Sequence, residues 1–189
     1  MIRAARSLFL ERGYGATTIE AISALADVPP ATLYRLFSSK HGILKALLDI
    51  SIVGDEETIP MAGRTEVRAL LADADPGSKL AGFAKITAQV NSRVAPLYRI
   101  LVSAAGSDPD AAALLDELTH QRQAGQRLIA RSLASTGALR PELRERDAAD
   151  VIHALMSPEL YRLLVLDRHW KSERYERWLA STLADQLLP

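Results

Sequence analysis

Apolar residues recur three and four positions apart along nearly the whole chain, as in Ile43, Leu44, Leu47 and Leu48, or Tyr175, Trp178, Leu179 and Leu183. That period belongs to helices rather than strands, so an all-α fold is expected. Breaks fall at Gly13 and Gly15, Asp27 to Pro30, Ser38 to Ser39, Gly54 to Gly63, Asp75 to Gly77, Ala95 to Pro96, Gly106 to Pro109, Gly137 to Pro141 and His169 to Ser172, giving about nine helices. The first three are short and the later ones longer. The spacing therefore predicts a compact three-helix unit over 1–46, followed by a larger helical domain over 47–189.

Composition removes several function classes. No run of about 18 apolar residues exists, so no membrane span is expected. Met1 to Arg12 lacks the charged, then apolar, then small-residue order of a secretion signal, which points to the cytoplasm. With no cysteine there is no disulfide, thiolate metal site or cysteine nucleophile. Net charge is zero, yet residues 1–50 hold six Lys or Arg against four Asp or Glu, while the remainder holds 17 against 19. The basic excess is small and local.

The most informative stretch runs from Thr17 to Lys40. Thr17, with Glu20 three residues on, reads as a capping box opening a second helix whose buried face is Ile19, Ile22, Ser23 and Ala26. Asp27 and Val28 mark a tight corner. Pro30 suits the first turn of the next helix, because proline lacks only an N–H that has no partner there. That helix, Pro30 to Phe37, is barely two turns long. It buries Leu33 and Phe37 and leaves Ala31, Thr32, Tyr34 and Arg35 outward, a display suited to a DNA major groove. Ser38 or Ser39 can cap a fourth helix. Lys40 in its first turn opposes the helix dipole, which a phosphate partner would explain.

On these residues the chain resembles the TetR family of bacterial regulators. The matching features are Ala4 to Tyr14, Thr17-Thr18, Ile22, Ala26, Val28, Thr32-Leu33-Tyr34 with Phe37, and Lys40 followed by Ile43 and Leu44. Gly137 to Pro141, Ser157 to Tyr161 and the helix from Tyr175 to Leu188 are similar to the sensing and dimerising domain. Three positions depart from the pattern. Asp27 stands where the family usually has glycine, Pro29 replaces a capping serine, and Leu36 replaces a polar residue that touches DNA. The resemblance implies a helix-turn-helix regulator, more often a repressor, that binds an inverted-repeat operator on double-stranded DNA as a homodimer. It further implies that Thr18, Thr32, Tyr34 and Lys40 hold phosphates, and that Thr32, Arg35 and Ala31, at a helix opened by Pro30, face bases.

The larger domain is expected to sense a small apolar or amphipathic effector. Phe83, Ile86, Val90, Tyr98, Leu101, His153 and Met156 supply an apolar majority with few polar anchors, among which Asn91 also stands, and Ala84, Ala88, Ala104 and Ala105 leave room between the helices. Two wide apolar stripes, carrying Val151, Leu155 and Leu163, and Tyr175, Trp178, Leu179 and Leu183, suggest a four-helix dimer interface. The rival is a metal-binding helical enzyme built on Glu117/His120 and Asp150/His153. It lacks bridging carboxylates, since no Asp or Glu lies between Lys79 and Ser107. No catalytic residue, metal or cofactor is expected.

Overall fold

The computed structural model describes residues 1–54 and 61–189, with the side chain of Ala62 left aside. Among these, nine α-helices of eight residues or more carry the fold, and none of the described chain is strand. They are α1 (Ile2–Arg12), α2 (Ile19–Ala26), α3 (Pro30–Phe37), α4 (Lys40–Val53), α5 (Thr65–Ala72), α6 (Pro76–Ala105), α7 (Pro109–Ser135), α8 (Glu145–Leu155) and α10 (Ser172–Leu187). Between the last two, α9 (Pro158–Tyr161) is one turn that widens into a π-helical stretch, Arg162–Asp167. Part of the break expected from Gly54 to Gly63 lies outside the described residues.

The chain divides into two compact units, Met1–Glu56 with Pro96–Glu117, and Glu57–Ala95 with Leu118–Pro189. A division at 46/47 falls inside α4, which is continuous from Lys40 to Val53.

In the first unit α1 packs on α2 and α4, and α3 on both of those. The buried side chains are the periodic ones: Ala5, Leu8 and Phe9, then Ile19 and Ile22, Leu33, and Ile43, Leu44, Leu47 and Leu48. The start of α2 lies one residue later than the capping box implies. Thr18 is the cap, its Oγ1 accepting the Ala21 N–H at 3.1 Å. Thr17 is instead fully buried, its hydroxyl 2.7 Å from the Gly13 carbonyl oxygen and 3.2 Å from that of Leu8. A hydroxyl pointing back at the end of α1 cannot also cap α2. Ala26 is only half-buried, while Ser23 is buried and its hydroxyl donates to the Val28 carbonyl across the corner.

The second unit buries Val67, Leu80, Phe83, Ala84, Ala88, Ile129, Leu133, Ile152, Tyr161, Tyr175, Leu179 and Leu183 in one core. Polar ties fix its helices. Lys79, only 2% exposed, donates to Ser132 Oγ, and Ser132 donates to the Leu71 carbonyl, joining α6, α7 and α5. The Arg140 guanidinium donates to the carbonyls of Asp185 and Leu188, satisfying the free end of α10. A Cβ built on Gly82 would come within 2.2 Å of Leu70 Cδ2, so the end of that leucine side chain would have to move to admit one.

The expected break at Ala95 to Pro96 is absent: α6 runs through it, with Pro96 inside the helix. Proline in a helix interior forfeits one backbone bond and costs about 3 kcal/mol, which the surrounding packing overrides. The neighbours Val94, Ala95, Leu97 and Tyr98 are all buried.

Candidate nucleic-acid interface and effector region

The corner between α2 and α3 is built from backbone conformation. Asp27 takes φ 53° and ψ 48°, the left-handed conformation that glycine usually supplies and that aspartate tolerates better than most residues. Pro29 precedes α3 without a side-chain cap, leaving the helix to start on the fixed φ of Pro29 and Pro30. Only Leu33 of α3 is fully buried, and it anchors the helix.

The opposite face of α3 is free. Pro30, Ala31, Tyr34, Arg35 and Leu36 are exposed, Tyr34 at 48% and Leu36 at 52%, and Thr32 and Phe37 are half-buried. A two-turn helix, held by one leucine, thus presents a methyl, a phenol and a guanidinium together. Leu36 places an apolar side chain beside them. Thr18, at the exposed start of α2, offers its backbone and hydroxyl on the same unit.

Lys40 has an intrachain partner that its sequence position does not reveal. Its ammonium donates to the Tyr14 carbonyl at 2.9 Å and sits 4.2 Å from the centroid of the Tyr14 ring. Tyr14 in turn stacks on Phe9, centroids 5.9 Å apart. Burial and the Asp108 carboxylate beside its hydroxyl push the Tyr14 phenol up to about 12. Further along α4, Lys45 pairs with Glu117, and burial raises the Asp49 carboxyl against the pull of Lys45.

The residues expected to line an effector site divide between the units. Phe83 belongs to the core of the second unit and Ile86 and Met156 are partly buried against it, while Val90 and His153 are half-buried; Tyr98 and Leu101 are buried in the first. His153 is tied on both ring nitrogens. Arg122 donates to Nε2 at 3.1 Å and to the His153 carbonyl at 3.2 Å, while Nδ1–H donates to Gln126 Oε1 at 2.7 Å. Burial, then the Arg122 charge, lowers its pKa, so it is a neutral imidazole near pH 7. A groove of about 470 Å³ opens in this unit at His169, Trp170, Lys171, Glu173, Arg174 and Arg177, and includes none of the expected effector residues.

Of the expected interface residues, Tyr175, Leu179 and Leu183 are fully buried within the chain's own core. Val151, Leu155 and Trp178 are partly buried against that core, and Leu163 is 46% exposed. The rival metal site loses its ligands to other partners, Glu117 to Lys45 and His153 to Arg122 and Gln126. Among the described residues no three His, Asp or Glu side chains converge, and no helix is long and apolar enough to cross a membrane.

A two-turn exposed helix set by a tight corner onto two supporting helices has the form of a helix-turn-helix. Residues 1–47 match the TetR_N family, described as bacterial regulatory proteins of the tetR family. The N-terminal unit is therefore similar to that of bacterial regulatory proteins of the tetR family. It is 29% identical over 166 residues to the uncharacterized HTH-type transcriptional regulator YdeS of Bacillus subtilis (strain 168), covering 87% of this chain and 77% of that one. The fold matches PfmR from Thermus thermophilus, a TetR family transcriptional regulator, with TM-score 0.72 and 22% identity over 100% of this chain and 98% of that one. It also matches the transcriptional regulator FadR from Bacillus subtilis in complex with stearoyl-CoA, with TM-score 0.71 and 19% identity over 96% of this chain and 95% of the other.

Proposed function

We propose that the protein is a cytoplasmic repressor that binds an inverted-repeat operator as a homodimer and leaves it when a small apolar or amphipathic effector binds the larger domain. The observation that carries this reading is the outward face of α3, where Ala31, Tyr34 and Arg35 stand exposed on a helix anchored by buried Leu33. In the reading, Arg35 and Thr32 bond base edges and Ala31 meets a thymine methyl, while Thr18, Tyr34 and Lys40 hold phosphates around a helix entered at Pro30. Lys40 gives one of its three N–H bonds to Tyr14, which leaves two for a phosphate.

The partner subunit is assigned to the partly exposed side chains Val151, Leu155, Leu163 and Trp178. Tyr175, Leu179 and Leu183 support that face from inside. The effector site is assigned to the second unit, to Phe83, Ile86, Val90, His153 and Met156. An amphipathic ligand accords with the stearoyl-CoA bound to FadR. Effector binding lowers operator affinity by no more than its differential affinity for the two states. Footprinting tests the reading: a protected region with two-fold symmetry, lost on adding effector, is expected. Protection of a single asymmetric half-site would overturn it.

A further inference from the structure

Leu36 stands 52% exposed in the last turn of α3. The core does not need it, because Leu33 is the fully buried anchor of the helix and half-buried Phe37 takes the next inward position. Single exposed leucines are common on protein surfaces. This one is set apart by its company. At 3.6 residues per turn, Ala31, Arg35, Thr32 and Leu36 follow one another around α3 over one arc of about 140°. Thr32 lies one turn before Leu36, and helical side chains lean toward the N-terminus, so Leu36 covers the surface beside Thr32.

The backbone that carries Leu36 is fixed. Ser38 ends α3 at φ 63°, its N–H donating to the Tyr34 carbonyl at 2.8 Å. A Cβ on Gly42 would overlap the Phe37 carbonyl oxygen, so the first turn of α4 lies hard against the end of α3. A side chain presented from such a support needs little ordering when a partner arrives.

Chemistry then narrows the partner. Leucine neither donates nor accepts a hydrogen bond, so it gains nothing from a phosphate or from the polar edges of the bases. The major groove offers one apolar group, the C5-methyl of thymine. We propose that Leu36 is a specificity-determining residue that packs on the C5-methyl of one thymine in each half-site, next to the base bonded through Thr32. This rests on the DNA reading above. It adds a second thymine contact to the one assigned to Ala31, at the other edge of the same arc, and gives a role in recognition to a position where no hydrogen bond to DNA can form.

The test uses the full chain to select an operator from a random-sequence DNA pool. Each thymine is then replaced by deoxyuridine, in both half-sites together. The replacement removes the methyl and keeps every hydrogen-bonding group of the base pair. At one thymine, wild-type affinity is expected to fall about fifteenfold, the value of one buried methyl lost from each of two half-sites. Leu36→Ala, an exposed substitution that favours the helix, is expected to melt no lower than wild type. It should bind the thymine and deoxyuridine operators equally at that position and keep the wild-type response at every other thymine. An operator whose thymines all tolerate deoxyuridine overturns this inference and leaves the DNA reading standing, as does a loss that persists in Leu36→Ala. Selection of no sequence at all overturns both.

Discussion

Lys40 reaches back 26 positions to Tyr14, its ammonium bonded to the Tyr14 carbonyl at 2.9 Å and resting over the ring. The bond joins the start of α4 to the turn after α1, so the cation is held in place before DNA arrives. A lysine held this way loses less side-chain entropy on meeting a phosphate. Lys40→Ala should therefore weaken binding on every DNA sequence alike, by about 1 kcal/mol, and reduce the slope of log affinity against log salt by about 1. A salt titration by fluorescence anisotropy checks this. If Lys40 served only to brace the head, affinity would fall through lost folding and the slope would not change.

Asp27 sits at φ 53°, where a side chain carries a steric cost that glycine avoids. Asp27→Gly should stabilise the head by about 0.5–1 kcal/mol, because it removes that cost at an exposed position. Asp27→Val should destabilise it by more than that, because a β-branched residue is worst in this conformation. Thermal melts of the two variants should move in opposite directions.

How much of this was legible in the sequence differs from place to place. The α3 boundaries and the burial of Leu33 followed from period and proline placement, which are local. Two adjacent threonines satisfy the same capping pattern, and only the path of the chain shows that Thr17 points back at the end of α1 while Thr18 caps α2. Pro96 marks a break by its local cost, which the sequence shows, whereas the burial of Val94, Ala95, Leu97 and Tyr98 around it is visible only in the fold. Tyr175, Leu179 and Leu183 form an apolar stripe either way. Spacing cannot say whether a stripe faces its own core or a second subunit.

His153 gives the larger domain a pH dependence of known sign. Its folded pKa lies below the ordinary value of 6.5, so the unfolded chain takes up the proton more readily. Stability is therefore full above about 6.5 and is lost as the pH falls through the lower folded value. Melting temperature should drop from pH 7.5 to pH 5.5, and His153→Gln should reduce that drop. A wild type that melts higher at pH 5.5 would reverse the sign.

Subunit association should separate from core packing at two leucines. Leu163 is 46% exposed and Leu183 is fully buried. Leu163→Glu should shift sedimentation toward monomer with helical content retained. Leu183→Glu should cost about 3 kcal/mol or more, by burying an unpaired charge, and should unfold the larger domain rather than release intact monomers. Sedimentation velocity and circular dichroism together distinguish the two.

The central claim is that α3 reads DNA bases, and Arg35 on its exposed face is the residue through which to test it. The most direct measurement is the affinity of wild type and Arg35→Ala for the footprinted operator and for that operator with each half-site position changed in turn. The account predicts that Arg35→Ala costs about 1–3 kcal/mol on the operator and flattens the discrimination at one base pair per half-site, leaving the other positions as they were. Unchanged affinity with the full discrimination pattern retained would contradict it.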